Sequence, residues 1–365
     1  TIIVDSDGIR WKRANVHEQY YASWFGVSTH LEDNSPLIQN ALNVIPSGSV
    51  LIFGPGTYQC IQVPIKMPDD PNNPNYAKSI SLQGSSNFTA TRFHITVLKY
   101  NGPIKEILTP FFDFRGSSGT KRYSGAIRGI EFIGTAYTSN VIGLIFDWCV
   151  GLIIEDVIVT QFKYGIQIRG HYYCSEFNNL VIRWCDYGFV SDNIGNYSEF
   201  TSCQFSCCNS VGFKGNATGS FCEGINFYNC YFEGSKISVE FTIMTYLGFY
   251  NCYFEGSSEY PIYLHSTDIA RKALLVLENS WIYTTCHGLP NNKAIIKQDT
   301  NKPLCYSIRN NYIYNPEALN YFIYIVNGDS IIEAKNNIML NINNNFPICS
   351  KMPIETSYFN NDFSQ

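Results

Sequence analysis

Nine residues, Phe227-Tyr-Asn-Cys-Tyr-Phe-Glu-Gly-Ser235, recur unchanged as Phe249 to Ser257, 22 residues further on. Self-similarity at a fixed spacing of roughly 20–50 residues marks a repeat architecture, and no other feature of this chain constrains its fold as strongly. The pair belongs to a longer series. Its unit reads apolar, variable, Asn or Asp, small or apolar, variable, apolar. It fits Ile127–Phe132, Ile154–Val159, Phe177–Ile182, Phe200–Phe205, Phe227–Phe232, Phe249–Phe254, Leu277–Ile282, Ile308–Ile313 and Ala334–Met339. The start-to-start steps are 27, 23, 23, 27, 22, 28, 31 and 26 residues.

Within each half of the unit the pattern alternates with a period of two, which is strand-like. The third position interrupts it with Asp156, Asn179, Asn229, Asn251, Asn279, Asn310 or Asn336, and with Gly129 and Ser202 as departures. Asn and Gly tolerate a left-handed backbone at a tight corner. The unit is therefore expected to be strand, one-residue bend, strand, with positions 1, 4 and 6 turned inward. A further strand stands between units, at Tyr164–Arg169, Tyr187–Val190, Val211–Lys214, Ile237–Phe241, Ile262–His265, Ile295–Gln298 and Phe322–Val326. Three short strands per coil make an all-β chain, a parallel β-helix whose coils stack about 4.8 Å apart.

Composition supports a long core, with 45% hydrophobic and 15% aromatic residues, including 26 Tyr and 25 Phe. No apolar run reaches the ~18 residues of a membrane span. A net charge of −5 offers no basic surface for nucleic acid, whose phosphates select clustered Lys and Arg. Neither partner is expected. At 365 residues, length alone suggests two domains, but solenoids routinely exceed that prior. Thr1 is not a natural initiator, so the sequence reads as a trimmed chain without a secretory signal at its start. The 13 cysteines, an odd count without framework spacing, read as buried thiols of a protein made in a reducing cytoplasm. Cys203, Cys230 and Cys252 share position 4 and should stack inside. With no Cys-x-x-Cys pair, neither a metal nor a cofactor is expected. The Asn-x-Ser/Thr triplets at Asn87, Asn196 and Asn216 read as chance matches in an Asn-rich chain.

Upstream of the coils, Ser35-Pro36 and the stripe Leu37, Ile38, Ala41, Leu42 and Ile45 predict an N-cap, a first-turn proline and a short helix. A strand at Ser49–Phe53 and a turn at Gly54-Pro-Gly56 follow. Lying across the open first coil, the helix would shield a strand edge. Residues 62–78 read as a surface loop, and Ile80–Leu82 and Phe111–Phe114 as early coils. The expected division is 1–60 for the opening segment and capping helix, 61–340 for the β-helix and 341–365 for a C-terminal cap or tail.

Trp24-Phe-Gly-Val27, the helix Ser35–Ile45 and Gly48-Ser-Val-Leu-Ile-Phe-Gly-Pro-Gly-Thr-Tyr58 resemble the opening of pectin-lyase-like proteins, which are right-handed parallel β-helices. Trp11-Lys-Arg13 and the Cys-Tyr-Phe-Glu-Gly coils are most similar to bacteriophage tailspike depolymerases. Thr29-His-Leu-Glu-Asp-Asn34 stands where that group usually has Asp-Gly-x-x-Asp-Asp. The resemblance implies a homotrimeric virion protein of the phage tail, made in the bacterial cytoplasm and acting outside the host cell. Its substrate would be bacterial capsular or other surface polysaccharide. This fold hosts lyases, hydrolases and non-catalytic proteins alike, so the activity has to be argued from the residues.

On a β-helix, one position of the unit forms a column up an outer face. Position 5 gives Tyr231, Tyr253, Trp281 and Tyr312, flat rings that suit sugar faces or, equally, a subunit interface. Position 7 gives Glu233 and Glu255, with backbones about 5 Å apart on neighbouring strands. Two carboxylates so close repel, so one keeps its proton to higher pH, as a general acid requires. A turn element repeated for structure would place the same two residues. A second acidic column is Glu176 and Glu199, with Glu155 diagonal to Glu176 at roughly 8 Å. Separations of about 5–5.5 Å suit retaining glycosidases and about 6.5–9.5 Å inverting ones.

The third-strand face is expected to carry Arg169, Asp192, Lys214, Glu240 and His265 on consecutive coils. By resemblance, this is where pectate-lyase-like enzymes place their groove. Arg169 or Lys214 could serve a lyase as base, but no cluster of three carboxylates for calcium stands beside them. His171 and His265 on their own read as structural. Three readings follow. The favoured one is a glycoside hydrolase with Glu233, Glu255, Glu176, Glu199 and Glu155 as catalytic candidates. Tyr231, Tyr253, Trp281, Arg169, Asp192, Glu240 and His265 would then bind substrate. The others are a polysaccharide lyase and a non-cleaving adhesin or structural spike.

Overall fold

The bend residue at position 3 decides the architecture. In the computed structural model, all nine of these residues, from Gly129 to Asn336, have φ between 51° and 63°. The structure describes residues 2–4, 10–12, 18–85, 96–193, 195–216, 223–242, 246–266, 273–283, 294–300, 304–314, 321–327, 330–340, 349–350 and 355–362. A single left-handed residue turns the chain sharply without ending its pairing, so strands on both sides of each bend remain in one ladder. Glu176–Arg183, for example, pairs in parallel with Ile153–Thr160 on one side. On the other it pairs with Ser198–Thr201 and Gln204–Ser206. The third strands form their own sheet of 11 strands, from Ile65–Lys66 to Cys349–Ser350. The chain is a parallel β-solenoid with very little helix, as the repeat predicts.

Positions 1, 4 and 6 point inward, as the alternation requires. Phe177, Leu180, Ile182, Phe200, Cys203, Phe205, Phe227, Cys230 and Phe232 are all fully buried. Because each coil repeats the residue type, rings stack on rings. Phe177, Phe200, Phe227 and Phe249 form one ladder with centroids 4.3, 4.9 and 5.0 Å apart. Phe205, Phe232 and Phe254 form a second, and Phe189, Phe213 and Phe241 a third.

Position 4 carries a further ladder. The thiols of Cys203, Cys230 and Cys252 donate to the position-1 carbonyls of the preceding coils, Phe177, Phe200 and Phe227, at 3.1, 3.2 and 3.4 Å. On later coils Asn311 and Asn337 do the same through Nδ2, to Leu277 and Ile308, at 2.9 and 3.1 Å. The 10 cysteines whose side chains are described are all free thiols. Seven are buried, as core filler should be, but Cys174 and Cys207 are exposed. Cys222, Cys286 and Asn87 lie outside the described residues, and of Cys349 only the backbone is described.

The opening segment departs from expectation in two respects. The helix is Ser35–Val44 and its N-cap is Asn34, not Ser35; the Asp33 carboxylate accepts from the Ser35 amide at 2.9 Å. Residues 62–78 are not simply a surface loop. Ile65, Met67 and Ala77 are buried, and Lys78 Nζ donates to the carbonyls of Leu42, Asn43 and Ile45. A cation there satisfies the orphan acceptors at the helix C-terminus and suits its dipole. Val50–Ile52 and Gly56–Cys60 already pair with Ser81–Gln83 and Thr96–Tyr100, so the ladder begins inside residues 1–60. Beyond Leu340, Cys349–Ser350 and Glu355–Asp362 add two strands.

Candidate functional site

The second-strand face brings the aromatic and acidic columns together. Tyr231, Tyr253, Trp281 and Tyr312 pair in register across four strands. Their ring centroids are 5.8, 6.4 and 4.6 Å apart and tilted by 50–57°. Outward rings with no layer above them stay open, and Tyr231 and Trp281 are 46% and 49% exposed. Two residues along, Glu233 lies directly opposite Glu255, followed by Tyr283 and Tyr314. The Tyr253 hydroxyl donates to Glu255 Oε2 at 2.8 Å. Burial, that hydrogen bond and the charges of Glu255 and Glu233 together push the Tyr253 phenol up to about 12. Tyr253 therefore stays a donor at neutral pH.

At the edge of this face the chain turns a second corner towards the third strand. Successive coils place Gln161, Trp184, Cys207, Gly234 and Gly256 there, with φ of 63°, 53°, 52°, 63° and 66°. A cavity of about 480 Å³ opens over this corner, lined by Tyr137, Trp184, Cys207, Asn209, Lys236 and Glu259 among others. The Arg183 guanidinium lies 4.4 Å from the Trp184 ring centre. Lys236 and Glu259 form an ion pair of 2.8 Å on the same rim. Sequence reasoning overlooked Arg183, Trp184 and Tyr137. The available signal was a tryptophan at the residue after position 7, where the twin coils carry glycine.

The first-strand face holds the second acidic column. Glu176 and Glu199 are opposite one another and both exposed, with Asn226 next in the row. Ile153 pairs with Glu176, so Glu155 is diagonal to it as expected. Glu155, however, is held by Arg128 at 2.9 Å. A paired carboxylate is a weaker candidate for proton transfer than Glu176 or Glu199.

The third-strand face requires a correction. Arg169, Asp192, Lys214, Glu240 and His265 do not form one column. Lys214 lies opposite Val190 and Glu240, while Glu240 lies opposite Tyr263. His265 belongs to a neighbouring row, opposite Asp299. The residues still meet across rows. Glu240 is buried and accepts from Lys214 at 2.8 Å, and it shares a 2.7 Å hydrogen bond with His265. Desolvation opposes its charge, but the His265 and Lys214 hydrogen bonds outweigh it and hold the carboxyl below its usual value. Asp192 accepts from Gln167 at 2.7 Å, and Arg169 stays exposed. Tyr263 stacks on His265 at 4.6 Å, with Lys297 over the Tyr263 ring at the same distance. Lys214 is thus engaged with a carboxylate rather than poised as a base.

No protein-family model and no curated protein matches this chain. Solved structures do. ORF18 of Geobacillus virus E2 is similar over 99% of this chain and 68% of its own, at 16% identity and a TM-score of 0.62. DFA-IIIase from Arthrobacter chlorophenolicus A6, in complex with GF2, is similar over 89% of this chain and 84% of its own, at 12% identity and a TM-score of 0.62. PfbA, a surface adhesin of Streptococcus pneumoniae, is similar over 88% of this chain and 87% of its own, at 11% identity and a TM-score of 0.57. At such identities the likeness establishes the shared solenoid fold. Among the described residues, no helix is long and apolar enough to cross a membrane.

Proposed function

We propose that this chain binds bacterial capsular or surface polysaccharide along the second-strand face and hydrolyses its glycosidic bonds there, as a phage tailspike depolymerase. The observation carrying this reading is the pair Glu233 and Glu255, in register beside a column of exposed rings. A polysaccharide lying on Tyr231, Tyr253 and Trp281 would present a linkage to both carboxyls. The two carboxyls divide the roles that glycoside hydrolysis needs. One protonates the leaving glycosidic oxygen, and the other, as carboxylate, activates water or attacks the anomeric carbon. Tyr253 orients Glu255, and one water supplies H to the leaving oxygen and OH to the anomeric carbon per bond cut. A virus protein and a structure holding GF2 among the similar folds support this reading, and homotrimeric assembly on the virion goes with it. Elimination is the weaker alternative: Lys214 is tied to Glu240, which leaves Arg169 as its base.

The deciding experiment incubates the protein with purified bacterial capsules and weighs the products. Oligosaccharides one water heavier than the internal repeat are expected, and both Glu233→Gln and Glu255→Gln should lose cleavage while melting like the parent. Products lacking that water would replace hydrolysis by elimination. Binding without any product would make the chain an adhesin.

A further inference from the structure

We infer that the corner cavity over Trp184 is a saccharide subsite, which seats one ring of the polysaccharide against the indole beside Glu233. The inference rests on the proposed polysaccharide function and adds a site to it. Its starting point is the backbone. Trp184 adopts φ of 53°, a left-handed conformation that is unfavourable for a bulky side chain and free of penalty for glycine. The corner requires this φ on every coil: Gln161 and Cys207 adopt it on the adjacent coils, and glycine fills it as Gly234 and Gly256 on the twin coils. Trp184 is the one bulky aromatic among these five, held there at a backbone cost that glycine avoids.

Packing gives Trp184 no reason to be there. Trp184 is 48% exposed, and Tyr137, which also lines the cavity, is 43% exposed. The Arg183 guanidinium at 4.4 Å fixes the orientation of the ring. A cavity of about 480 Å³ falls within the usual range for small-ligand pockets, roughly 300–1,000 Å³. Its chemistry is mixed in the way a sugar needs. The indole and phenol rings offer apolar faces to ring C–H groups, while Asn209, Lys236, Ser258 and Glu259 offer donors and acceptors to hydroxyls. The site also adjoins the acid pair. Gly234, the residue after Glu233, lines the cavity together with Cys207, whose backbone N–H donates to the Glu233 carbonyl at 2.7 Å. A chain seated here would therefore run on towards Glu233 and the aromatic column.

The strain supplies a clean test, because Trp184→Gly removes the ring while relieving the backbone. The probes are the same purified capsules, with binding measured by calorimetry, melting by circular dichroism and mass by light scattering. Trp184→Gly should melt at or above the parent temperature and keep the parent mass. It should bind a capsule that the parent binds about tenfold more weakly, the loss of one aromatic contact. Trp184→Tyr should recover part of that affinity. Undiminished binding by Trp184→Gly would overturn the subsite while leaving hydrolysis at Glu233 standing. A melting point several degrees lower would make Trp184 a packing residue, and a change in mass would make the corner a subunit contact. Glu233→Gln separates the two proposals, since it should abolish cleavage and keep binding; cleavage surviving that change removes Glu233 from the chemistry and leaves the subsite standing. If the parent binds no capsule, both fall.

Discussion

Coils 200–254 and coils 277–337 share a backbone but fill it differently. The earlier set is lined by stacked phenylalanines and linked at position 4 by the thiols of Cys203, Cys230 and Cys252. The later set is lined by Leu275, Leu277, Ile282, Ile308 and Ile313, and position 4 passes to Ser280, Asn311 and Asn337. There the links are hydrogen bonds between side chains as well as to the backbone. Ser280 N donates to Asn311 Oδ1 at 2.8 Å, and Asn311 Nδ2 to Asn337 Oδ1 at 2.9 Å. Cys203, Cys230 and Cys252 in the first set, and Asn311 and Asn337 in the second, donate to the position-1 carbonyl of the preceding coil. The Ser280 hydroxyl instead donates to the Glu278 carbonyl at 3.0 Å. The constraint is thus a hydrogen-bond role, which a weak thiol fills beside large rings and a strong amide fills beside smaller aliphatic side chains. Filling space and satisfying the backbone are solved jointly, coil by coil.

The comparison can be broken at its strongest link. Asn311→Leu keeps volume but removes three hydrogen bonds, and leaves the Leu277 carbonyl and Ser280 amide buried without this partner. A loss of about 3–4 kcal/mol is expected in urea unfolding. A loss under about 1 kcal/mol would mean the amide ladder is incidental.

Next in size is a test of outside against inside. Neither ladder holds a group that titrates in acid, so the acid sensitivity of these coils should come from the outer surface, chiefly Glu240. Its folded carboxyl is held below the unfolded value of 4.5. The stabilisation is therefore fully present above that value and lost as pH falls through the lowered one. Glu240→Gln should cost about 2 kcal/mol at pH 7 and flatten the fall in melting temperature between about pH 5 and 3. An unchanged pH profile would move the acid sensitivity elsewhere.

The smallest effects belong to the thiol set. Cys230→Ala should cost about 1–2 kcal/mol, mostly through lost packing. Cys252→Ser, which copies the residue found one coil later, should cost under about 1 kcal/mol. A larger loss for serine than for alanine would show that hydrogen bonding is not what position 4 contributes in the aromatic coils.

The fold was legible because one residue per coil carries most of it. Asn or Asp at position 3 announces the left-handed bend, and the bend pins the register of the strands on either side. The acid and aromatic columns of the second-strand face follow from that register alone. The third-strand face does not. Counted from the paired starts Tyr164, Tyr187, Val211 and Ile237, Lys214 and Glu240 are the fourth residues of their strands but Arg169 and Asp192 the sixth. The polar residue at the end of each strand suggested one column, and the pairing divides it into two rows because the strands end at different lengths. Trp184 was hidden for a related reason. It stands at a second corner filled by Gln161, Cys207, Gly234 and Gly256 on other coils, so no shared residue type announces the bend there. Of the opening segment, the apolar stripe marked the helix, while the Lys78 clamp depends on a fold-back that no local pattern encodes.

The repeated nonapeptide has a consequence for how such a surface can originate. The twin coils meet through identical bends, stacked rings and position-4 thiols, so one can be inserted beside the other without a new kind of contact. Duplicating a single coil copies its outward residues as well, directly above the originals. One such event would turn a lone Tyr231 and Glu233 into a two-ring platform with a facing pair of acids. In a solenoid, growth in length and the assembly of a two-residue constellation can be the same step.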